Sequence, residues 1–529
     1  MAQVDRPEGG TAPPTRSPAD RGWSLDIAAS SRLGVILSIA ALAVAVVPTT
    51  SLASGYDPAA DVNSMVNTTA YTGATAWWNA GFTGAGVDVA LIDTGVSRVE
   101  GLATTGKIVY GPDLSLESQA PELRNLDTNG HGTFMAGIIA GKDGDLAMPY
   151  ADAPASQFRG VAPDARIVSL KVGVADGGTD VSQVIAAIDW VVQHKNDNGL
   201  NIRVLNLSYG TDSSQDYERD PLAFAVEQAW QAGIFVVAAT GNSGYVFKTG
   251  SLTSPATDPH IFAVGASSSK GTMTLADDTV PAYSSTGSNS RYVDVVAPGS
   301  HIVSLRVPGS YIDQKDGSTG LVSDRFFRGS GTSEAAGFVS GAAALVLQQR
   351  PTITPDRLKK FFLDGAVGLP GFSSSKQGQG ELNLKDLVTR DEGNAPKPWS
   401  KIPWSTGTGS LEASRGTDHL TSDGVVLSGE QDIFGHAFDS AAMAALEADG
   451  NSWSGGTWNG NSWSGSSWSG NSWSGSSWSG SSWSGSSWSG NSWSGNSWSG
   501  NSWSGSSWSG NSWSGNSWSG NSWSTASWQ

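Results

Sequence analysis

The stretch Val87-Asp88-Val89-Ala90-Leu91-Ile92-Asp93-Thr94-Gly95 decides the fold. Five of its first six residues, all except Asp88, have β-branched or aliphatic side chains, which is typical of a buried strand. Similar runs occur at 166–172, 202–207 and 233–240, and segments of helical length and periodicity lie at 180–195, 221–232 and 334–349. Apolar strands that alternate with helices predict an α/β fold, in which helices cover both faces of a mostly parallel central sheet.

Polar residues follow two of these predicted strands, where ligands bind in an open parallel sheet. One strand runs into Asp93-Thr94-Gly95 and another into Gly241-Asn242-Ser243-Gly244. His131-Gly132-Thr133 opens a helix-like run, and Gly331-Thr332-Ser333 opens a long helix rich in small residues. Ser333 is therefore predicted at a helix N-terminus.

These residue types supply the parts of a nucleophilic mechanism. A serine hydroxyl attacks well only when an imidazole accepts its proton, and the imidazole needs a carboxylate to orient it. Ser333, His131 and Asp93 match these three roles. The Asn242 amide and the backbone N–H of Ser333 can stabilise the oxyanion. Because the chain has no cysteine, a thiolate nucleophile, a disulfide and a thiolate metal site are excluded.

In this order and spacing, the Asp-Thr-Gly, His-Gly-Thr and Gly-Thr-Ser motifs resemble the subtilisin-like serine peptidases of the secreted bacterial type, over roughly residues 80–390. The resemblance implies an endopeptidase that cleaves proteins or peptides through an acyl-enzyme. It implies that Asp93, His131 and Ser333 are the triad, and that Asn242 and Ser333 form the oxyanion hole. It also implies that Ser208, Tyr209 and Gly210 form an edge strand that pairs with the substrate backbone.

Two features depart from the family pattern. Glu334-Ala335-Ala336-Gly337 follows the serine where the family often has Met-Ala-Ala-Pro. An acid in the first turn stabilises a helix, but a charge near the oxyanion opposes catalysis, so the direction of the Glu334 side chain matters. The segment between Ala53 and Gly81 is also too short for the pro-domain that is common in secreted relatives.

The predicted chemistry requires no cofactor and no catalytic metal. A structural calcium ion is compatible with the resemblance, and Asp143 and Asp145 are candidate ligands, although no ligand spacing identifies a site. The net charge of −17, from 31 basic and 48 acidic residues, gives nucleic acid no general electrostatic attraction to the chain. Nucleic acid is therefore excluded as a partner.

Both termini carry segments that stand apart from the enzyme. The apolar run at 33–47, followed by Ser51-Leu52-Ala53, predicts a cleaved signal peptide and a secreted or cell-surface protein, with an uncleaved signal anchor as the alternative. From residue 453 to residue 528, tryptophan recurs at every fifth position in a Ser/Gly/Asn-rich tail without charged side chains. This composition predicts disorder, with a narrow solenoid or an aromatic surface for cell-wall or extracellular glycan as alternatives.

The predicted organisation therefore has five parts. They are a signal peptide at 1–53, a short N-terminal segment at 54–80, a subtilisin-like peptidase domain at 81–391, a linker or adapter at 392–450 and the pentad repeat at 451–529. The leading hypothesis is a secreted serine endopeptidase whose tail attaches it to a surface or glycan. The alternative is a catalytically inactive subtilase-like binding or adhesin protein, which the presence of the complete triad and oxyanion donor disfavours.

Overall fold

The computed structural model describes residues 55–462 except 121, 245–251, 289–290, 392, 394–400, 418 and 423–424, together with 479–484 and 487–491. The predicted signal peptide and most of the pentad repeat lie outside the described residues. Within the described part of the chain, no helix combines the length and apolarity needed to cross a bilayer.

The centre of the protein is a nine-stranded sheet, in the order β12-β13-β9-β6-β5-β4-β1-β3-β2. Its strands are β1 Asp88–Asp93, β2 Ile108–Asp113, β3 Arg166–Lys171, β4 Ile202–Leu207, β5 Phe235–Ala239, β6 Phe262–Ser267, β9 Val295–Pro298, β12 Ala366–Val367 and β13 Glu381–Leu382. All neighbours are parallel except β12 and β13. Short strands in the same part of the chain lie outside this sheet, among them β7 Gly287–Ser288, β8 Arg291–Tyr292, β10 Ile302–Leu305 and β11 Phe326–Gly329. The predicted mostly parallel α/β architecture is confirmed.

Helices cover the sheet. They are α1 Met65–Tyr71, α2 Ala74–Asn79, α3 His131–Ala140, α4 Val181–His194, α5 Pro221–Gln231, α6 Tyr311–Gly320, α7 Thr332–Gln349, α8 Pro355–Gly365, α9 Ser374–Gln377, α10 Leu411–Arg415 and α11 Ser440–Ala448. Helix α3 packs beside α7, and α4 packs beside α5. The three predicted helices correspond to α4, α5 and α7. Helix α4 begins with a capping box, in which Asp180 accepts from Ser182 N and Gln183 Oε1 accepts from Asp180 N.

The segment before residue 81 belongs to the same core as the sheet. Trp77 and Trp78 of α2 are buried. The indole nitrogen of Trp77 donates to the Leu384 carbonyl at 2.9 Å, and that of Trp78 donates to the Val161 carbonyl at 3.0 Å. Each indole N–H therefore has a hydrogen-bond acceptor, while the apolar part of the ring is removed from water.

The described part of 392–450 packs against the peptidase domain, so an adapter describes it better than a linker. Arg415 is completely buried, and the Trp404 ring stacks on His260 with 3.6 Å between centroids. Two short antiparallel strands, β14 Thr421–Ser422 and β15 Val425–Val426, follow α10.

The first pentads, whose composition predicts disorder, form short paired strands. Strands β16 Trp453–Ser454, β17 Thr457–Trp458 and β18 Asn461–Ser462 form a small antiparallel sheet. Trp458 is fully buried and its indole nitrogen donates to Asp189 Oδ2 at 2.7 Å, while Trp453 donates to the Ala186 carbonyl at 2.8 Å. Helix α4 thus provides acceptors for both indoles. Further along, β19 Ser479–Ser484 pairs with β20 Ser487–Asn491.

Candidate active site

Asp93 and His131 form a buried pair at the edge of the sheet where the parallel strands have their carboxyl ends. Asp93 is the last residue of β1, and His131 is the first residue of α3. The Asp93 Oδ1 atom lies 2.8 Å from His131 Nδ1 and accepts from the Thr94 N–H at 2.8 Å. Both side chains are about 1 % exposed, so the carboxylate fixes the imidazole in a water-poor environment.

The glycines of the two motifs allow this close approach. A Cβ atom on Gly132 would lie 2.1 Å from the Gly95 carbonyl oxygen, so only glycine fits at this position. Gly95 itself has a φ of +109°, which disfavours other residues. The Gly132 N–H donates to Thr94 Oγ1 at 3.0 Å. The Asp-Thr-Gly and His-Gly-Thr motifs are therefore in direct contact, backbone against backbone.

Asp127 supports this contact, and sequence reasoning did not identify its role. It accepts from the backbone N–H groups of Gly130 and Thr133, both at 2.7 Å, and from Thr94 Oγ1 at 2.8 Å. It thereby ties the start of α3 to the end of β1. An acid shortly before a predicted helix start is a capping signal, which is the one sequence feature that points to it.

Ser333 reaches the same edge from α7. It is the second residue of that helix, it is fully buried, and its carbonyl oxygen accepts from Ser208 Oγ at 3.3 Å. Small residues let α7 approach its neighbours: a Cβ atom on Gly341 would lie 2.6 Å from Val161 Cβ and 2.9 Å from the Ile139 carbonyl oxygen. The close packing of α7 on α3 explains the small-residue composition noted in the sequence.

Asn242 follows β5 and is oriented by Thr332. Its Oδ1 atom accepts from the Thr332 N–H at 3.0 Å and from Thr332 Oγ1 at 3.1 Å. Thr332 Oγ1 in turn accepts from the Gly241 N–H at 3.2 Å. Because Thr332 holds the amide oxygen, the NH₂ group of Asn242 is directed away from it. Sequence reasoning placed Thr332 in a motif but did not assign it this positioning role.

Ser208, Tyr209 and Gly210 leave the sheet directly after β4. Ser208 and Tyr209 are buried, and the next residue, Thr211, pairs with Ser254 through N–H···O contacts of 2.9 and 2.8 Å. The structure thus brings all seven predicted site residues to the carboxyl ends of β1, β4 and β5 and to the first turns of α3 and α7.

The charges around His131 favour its protonated form. Burial alone would lower the pKa of His131, but Asp93, Glu334 and Asp127 together raise it above its ordinary value of 6.5. Glu334 is fully buried, so the acid that departs from the family pattern is directed into the protein and not into solvent. Burial, with a smaller contribution from the Glu334 charge, raises the pKa of Tyr283, whose hydroxyl donates to the Gly299 carbonyl at 2.8 Å.

The two acids considered as calcium ligands have other environments. Asp143 pairs with Arg325 at 2.7 Å through Oδ1 and accepts from the Phe158 N–H at 2.8 Å through Oδ2. Asp145 is exposed. The structure therefore gives these residues no shared ligand geometry, and calcium binding stays a prediction.

A separate buried cluster contains Glu227, Asp258 and His260, with one side-chain atom of each within 4.8 Å of the others. His260 Nε2 lies 4.0 Å from Glu227 Oε1. This spacing exceeds the roughly 3.3 Å between tetrahedral zinc ligands with bonds of about 2.0 Å. Burial, reinforced by the charge of Asp258, raises the pKa of Glu227. A buried protonated carboxyl group therefore describes Glu227 better than a metal ligand.

Replacement of Glu227 by glutamine is expected to stabilise the protein more at pH 9 than at pH 5. Above about pH 4.5 the unfolded chain releases the Glu227 proton while the folded protein retains it, so the carboxyl group reduces stability progressively as pH rises. Glutamine removes this cost and still accepts from the Ser405 N–H. Thermal unfolding at both pH values measures the difference, with the exposed Glu218→Gln as control. Equal changes in Tm at the two pH values would contradict the assignment.

Comparisons with known proteins identify the family of this chain. The Subtilase family model matches residues 84–385. Serine protease AprX of Bacillus subtilis (strain 168) is 36 % identical over 312 residues, which cover 58 % of this chain and 67 % of that protein. Subtilisin Savinase of Lederbergia lenta is 32 % identical over 312 residues, which cover 59 % of this chain and 94 % of that protein.

One solved structure is also similar. The crystal structure of a cold adapted subtilisin-like serine proteinase is 30 % identical, with a TM-score of 0.40, and the match covers 57 % of this chain and 88 % of that chain. The family model alone spans more than half of the present chain, and it includes every residue brought together at the carboxyl edge of the sheet. The chain therefore belongs to the subtilase family and is a serine-type endopeptidase.

Proposed function

We propose that Asp93, His131 and Ser333 are the catalytic triad of this endopeptidase. The observation that carries the proposal is the buried 2.8 Å contact between Asp93 Oδ1 and His131 Nδ1, beside the N-terminus of the helix that bears Ser333. Ser333 Oγ attacks the scissile carbonyl carbon while His131 Nε2 takes its proton. The imidazolium then protonates the leaving amine. Water, deprotonated by the same imidazole, hydrolyses the acyl-enzyme and releases Ser333.

The oxyanion hole is formed by the Asn242 amide and the backbone N–H of Ser333. Two hydrogen bonds from Thr332 fix the Asn242 oxygen, which leaves the NH₂ group oriented before substrate arrives. Such preorganised donors stabilise the developing negative charge without reorganisation during the reaction. The Ser333 N–H lies in the first turn of α7, where the helix dipole also favours an anion.

Protein or peptide substrates bind in extended form along Ser208, Tyr209 and Gly210. These residues continue from β4 beside Ser333, which supports main-chain pairing next to the nucleophile. Secretion, through the predicted signal peptide at 1–53, places the enzyme among extracellular proteins.

Labelling with a fluorophosphonate tests the proposed triad. The intact protein should form a covalent adduct at Ser333, because the reagent requires an activated serine. Peptide mapping by mass spectrometry identifies the modified residue, and Ser333→Ala should give no adduct. An unlabelled wild-type protein would favour the alternative of an inactive subtilase-like binding protein.

The pH profile of kcat/KM is expected to rise with a midpoint above 6.5. His131 must be neutral to accept the Ser333 proton, and the surrounding carboxylates raise its pKa, so its activating deprotonation occurs at higher pH. Glu334→Gln removes one of these negative charges and should shift the midpoint to lower pH. Glu218→Gln, at an exposed position, should leave the midpoint unchanged. A profile that is flat between pH 5 and 8 would contradict a histidine base.

The tail attaches the enzyme to cell-wall or extracellular glycan through its repeated tryptophans. Because residues 453–462 pack on α4, the informative truncation is after Ser462. This truncated protein should hydrolyse a short soluble peptide normally but lose retention on isolated cell walls. Unchanged retention would remove the attachment role.

A second truncation, after Gly450, should lower stability as well. It removes Trp458, which is fully buried, and leaves Asp189 without that indole donor. Loss of a buried tryptophan costs on the order of 3–5 kcal/mol. Urea unfolding should therefore separate the two truncated proteins, and equal midpoints would show that the docked pentads do not contribute to the fold.

A further inference from the structure

We propose that residues 405–417, 419–422 and 425–431, here together called the C-terminal brace, fix the distance between the two walls of the peptide-binding cleft. They thereby determine how well the enzyme holds substrate residues distant from the scissile bond. The proposal rests on the proposed function of the Ser333 site. The first wall is defined as residues 172–179, which are held by Asp180 at the start of α4, and the second wall as residues 208–212.

The first wall leaves β3 beside the catalytic pair. The N–H groups of Val172 and Gly173 donate to the Asp93 carbonyl at 2.9 and 3.3 Å. Asn129, two residues before His131, donates its amide to the Ala175 carbonyl at 2.8 Å. The first wall therefore borders the side of the site that contains Asp93 and His131.

The second wall leaves β4 beside the nucleophile, through the contact of Ser208 Oγ with the Ser333 carbonyl. Strands β3 and β4 pair with opposite edges of β1. The two walls consequently flank the carboxyl end of β1, where the catalytic carboxylate lies. An extended peptide laid between them meets protein backbone on both sides.

Arg415 connects the brace to the first wall. Its Nε atom donates to Asp180 Oδ2 at 2.7 Å, and its remaining nitrogens donate to the carbonyl groups of Gly429 at 2.7 Å and Gln431 at 2.5 Å. The side chain is completely buried. Leu420 of the brace also lies 3.4 Å from the position that a Cβ atom of Gly178 would occupy.

Adjacent residues connect the brace to the second wall. Thr211 Oγ1 donates to the Ser414 carbonyl at 2.5 Å. Thr417 donates to Asp212 through its backbone N–H at 2.6 Å and its hydroxyl at 2.5 Å. Ser414 contacts the second wall, and Arg415 contacts Asp180, which ends the first wall. One turn of α10 therefore sets the separation of the two walls.

The expected consequence is selective for substrate length. The brace contacts described above do not involve the side chains of Asp93, His131, Ser333 or Asn242, so bond cleavage itself should be unaffected. A longer peptide depends on pairing with both walls. A substrate with a single residue before the scissile bond contacts only a small part of each wall. Loosening the brace should therefore raise KM for long peptides and leave kcat for short ones unchanged.

The test uses the full chain carrying Arg415→Met together with Asp180→Asn. The pair of changes removes the ion pair without leaving an unpaired buried charge, and asparagine still caps α4. Chromogenic peptide anilides of one to four residues are the probes. For the four-residue anilide, KM should rise about tenfold, because the loss of one or two hydrogen bonds weakens binding by about this factor. For the one-residue anilide, kcat should stay within about twofold of the wild type.

Arg166→Met with Asp88→Asn is the matched control. This arginine–aspartate pair is bidentate, with both contacts at 2.6 Å, and Arg166 is partly exposed. It lies at the amino ends of β1 and β3, away from the walls. It should leave the dependence of KM on peptide length unchanged. If the brace variant and this control behaved alike, or if KM rose equally for all four anilides, the proposal would be wrong.

An exposed position provides a milder variant that keeps the core intact. Thr417→Ala removes the side-chain hydrogen bond to Asp212, and it should raise KM for the four-residue anilide about two- to threefold. Thr417→Ser keeps the hydroxyl and should restore the wild-type value. Failure of serine to restore it would overturn the role of this contact. Fluorophosphonate labelling of every variant at Ser333 separates failure of the brace from failure of the proposed triad.

Discussion

Replacement of Ser333 by alanine is expected to lower kcat about a million-fold while the protein remains folded. The magnitude is that observed in subtilisin itself, a member of this family, when the nucleophile or the general base is removed. The physical reason is that alanine has no hydroxyl group to attack the scissile carbonyl carbon, so the acyl-enzyme cannot form at this position. Active-site-directed labelling and single-turnover hydrolysis of a peptide anilide measure the loss.

Ser340→Ala is the matched control on the same helix. Ser340 is also buried, and its hydroxyl donates to Asn206 Oδ1 at 2.8 Å. Its replacement should cost some stability but leave kcat close to that of the wild type. Turnover of Ser333→Ala near the wild-type level would refute the proposed nucleophile.

Replacement of Asn242 by alanine is expected to lower kcat by about a hundred- to a thousandfold with little change in KM. This magnitude also comes from subtilisin, where loss of one side-chain donor of the oxyanion hole has that effect. The donor acts on charge that develops only in the transition state, so ground-state binding is largely unaffected. Steady-state kinetics with one anilide substrate separate the two parameters.

Two further variants test whether Asn242 acts as a hydrogen-bond donor or through its packing. Asn242→Asp keeps an oxygen for Thr332 but replaces the donor by a negative charge, so its kcat should be lower than that of Asn242→Ala. Thr332→Val removes the hydroxyl that orients Asn242 and should lower kcat about tenfold. If Asn242→Ala raised KM without lowering kcat, Asn242 would be a substrate-binding residue and not an oxyanion donor.

The strands that surround the site could be predicted because their apolar runs are continuous. The predicted runs at 166–172, 202–207 and 233–240 contain β3, β4 and β5. Strand β2, with the sequence Ile-Val-Tyr-Gly-Pro-Asp, lacks such a run, and β12 and β13 contain only two residues each. These strands contain too few apolar residues in sequence to show a strand pattern, and they form because they pair with neighbouring strands.

In the candidate site too, local motifs predict some residues, whereas contacts between residues distant in the chain determine the roles of others. The motifs around Asp93, His131 and Ser333 have local signatures, and the structure brings those residues together. The positioning roles of Asp127 and Thr332 arise from contacts with Thr94 and Asn242, which are distant in the chain. No local pattern encodes such partners.

The adapter and the first pentads were harder to predict for the same reason. Arg415 binds Asp180, and Trp458 binds Asp189, each across more than two hundred residues. A tail composed of Ser, Gly, Asn and Trp has the composition of a disordered segment. Contacts with α4 and with Asp432 make its first two pentads part of the folded protein.

The docking of those pentads has a consequence for how the gene can change. Short tandem repeats gain and lose units readily when DNA is copied. Within the described residues, the pentad side chains that contact α4 are those of Ser452, Trp453 and Trp458, at the start of the array. Units inserted or deleted after Ser462 would leave these contacts in place. The number of pentads can therefore vary between strains and generations without unfolding the enzyme. The tail length can change while the catalytic domain stays the same.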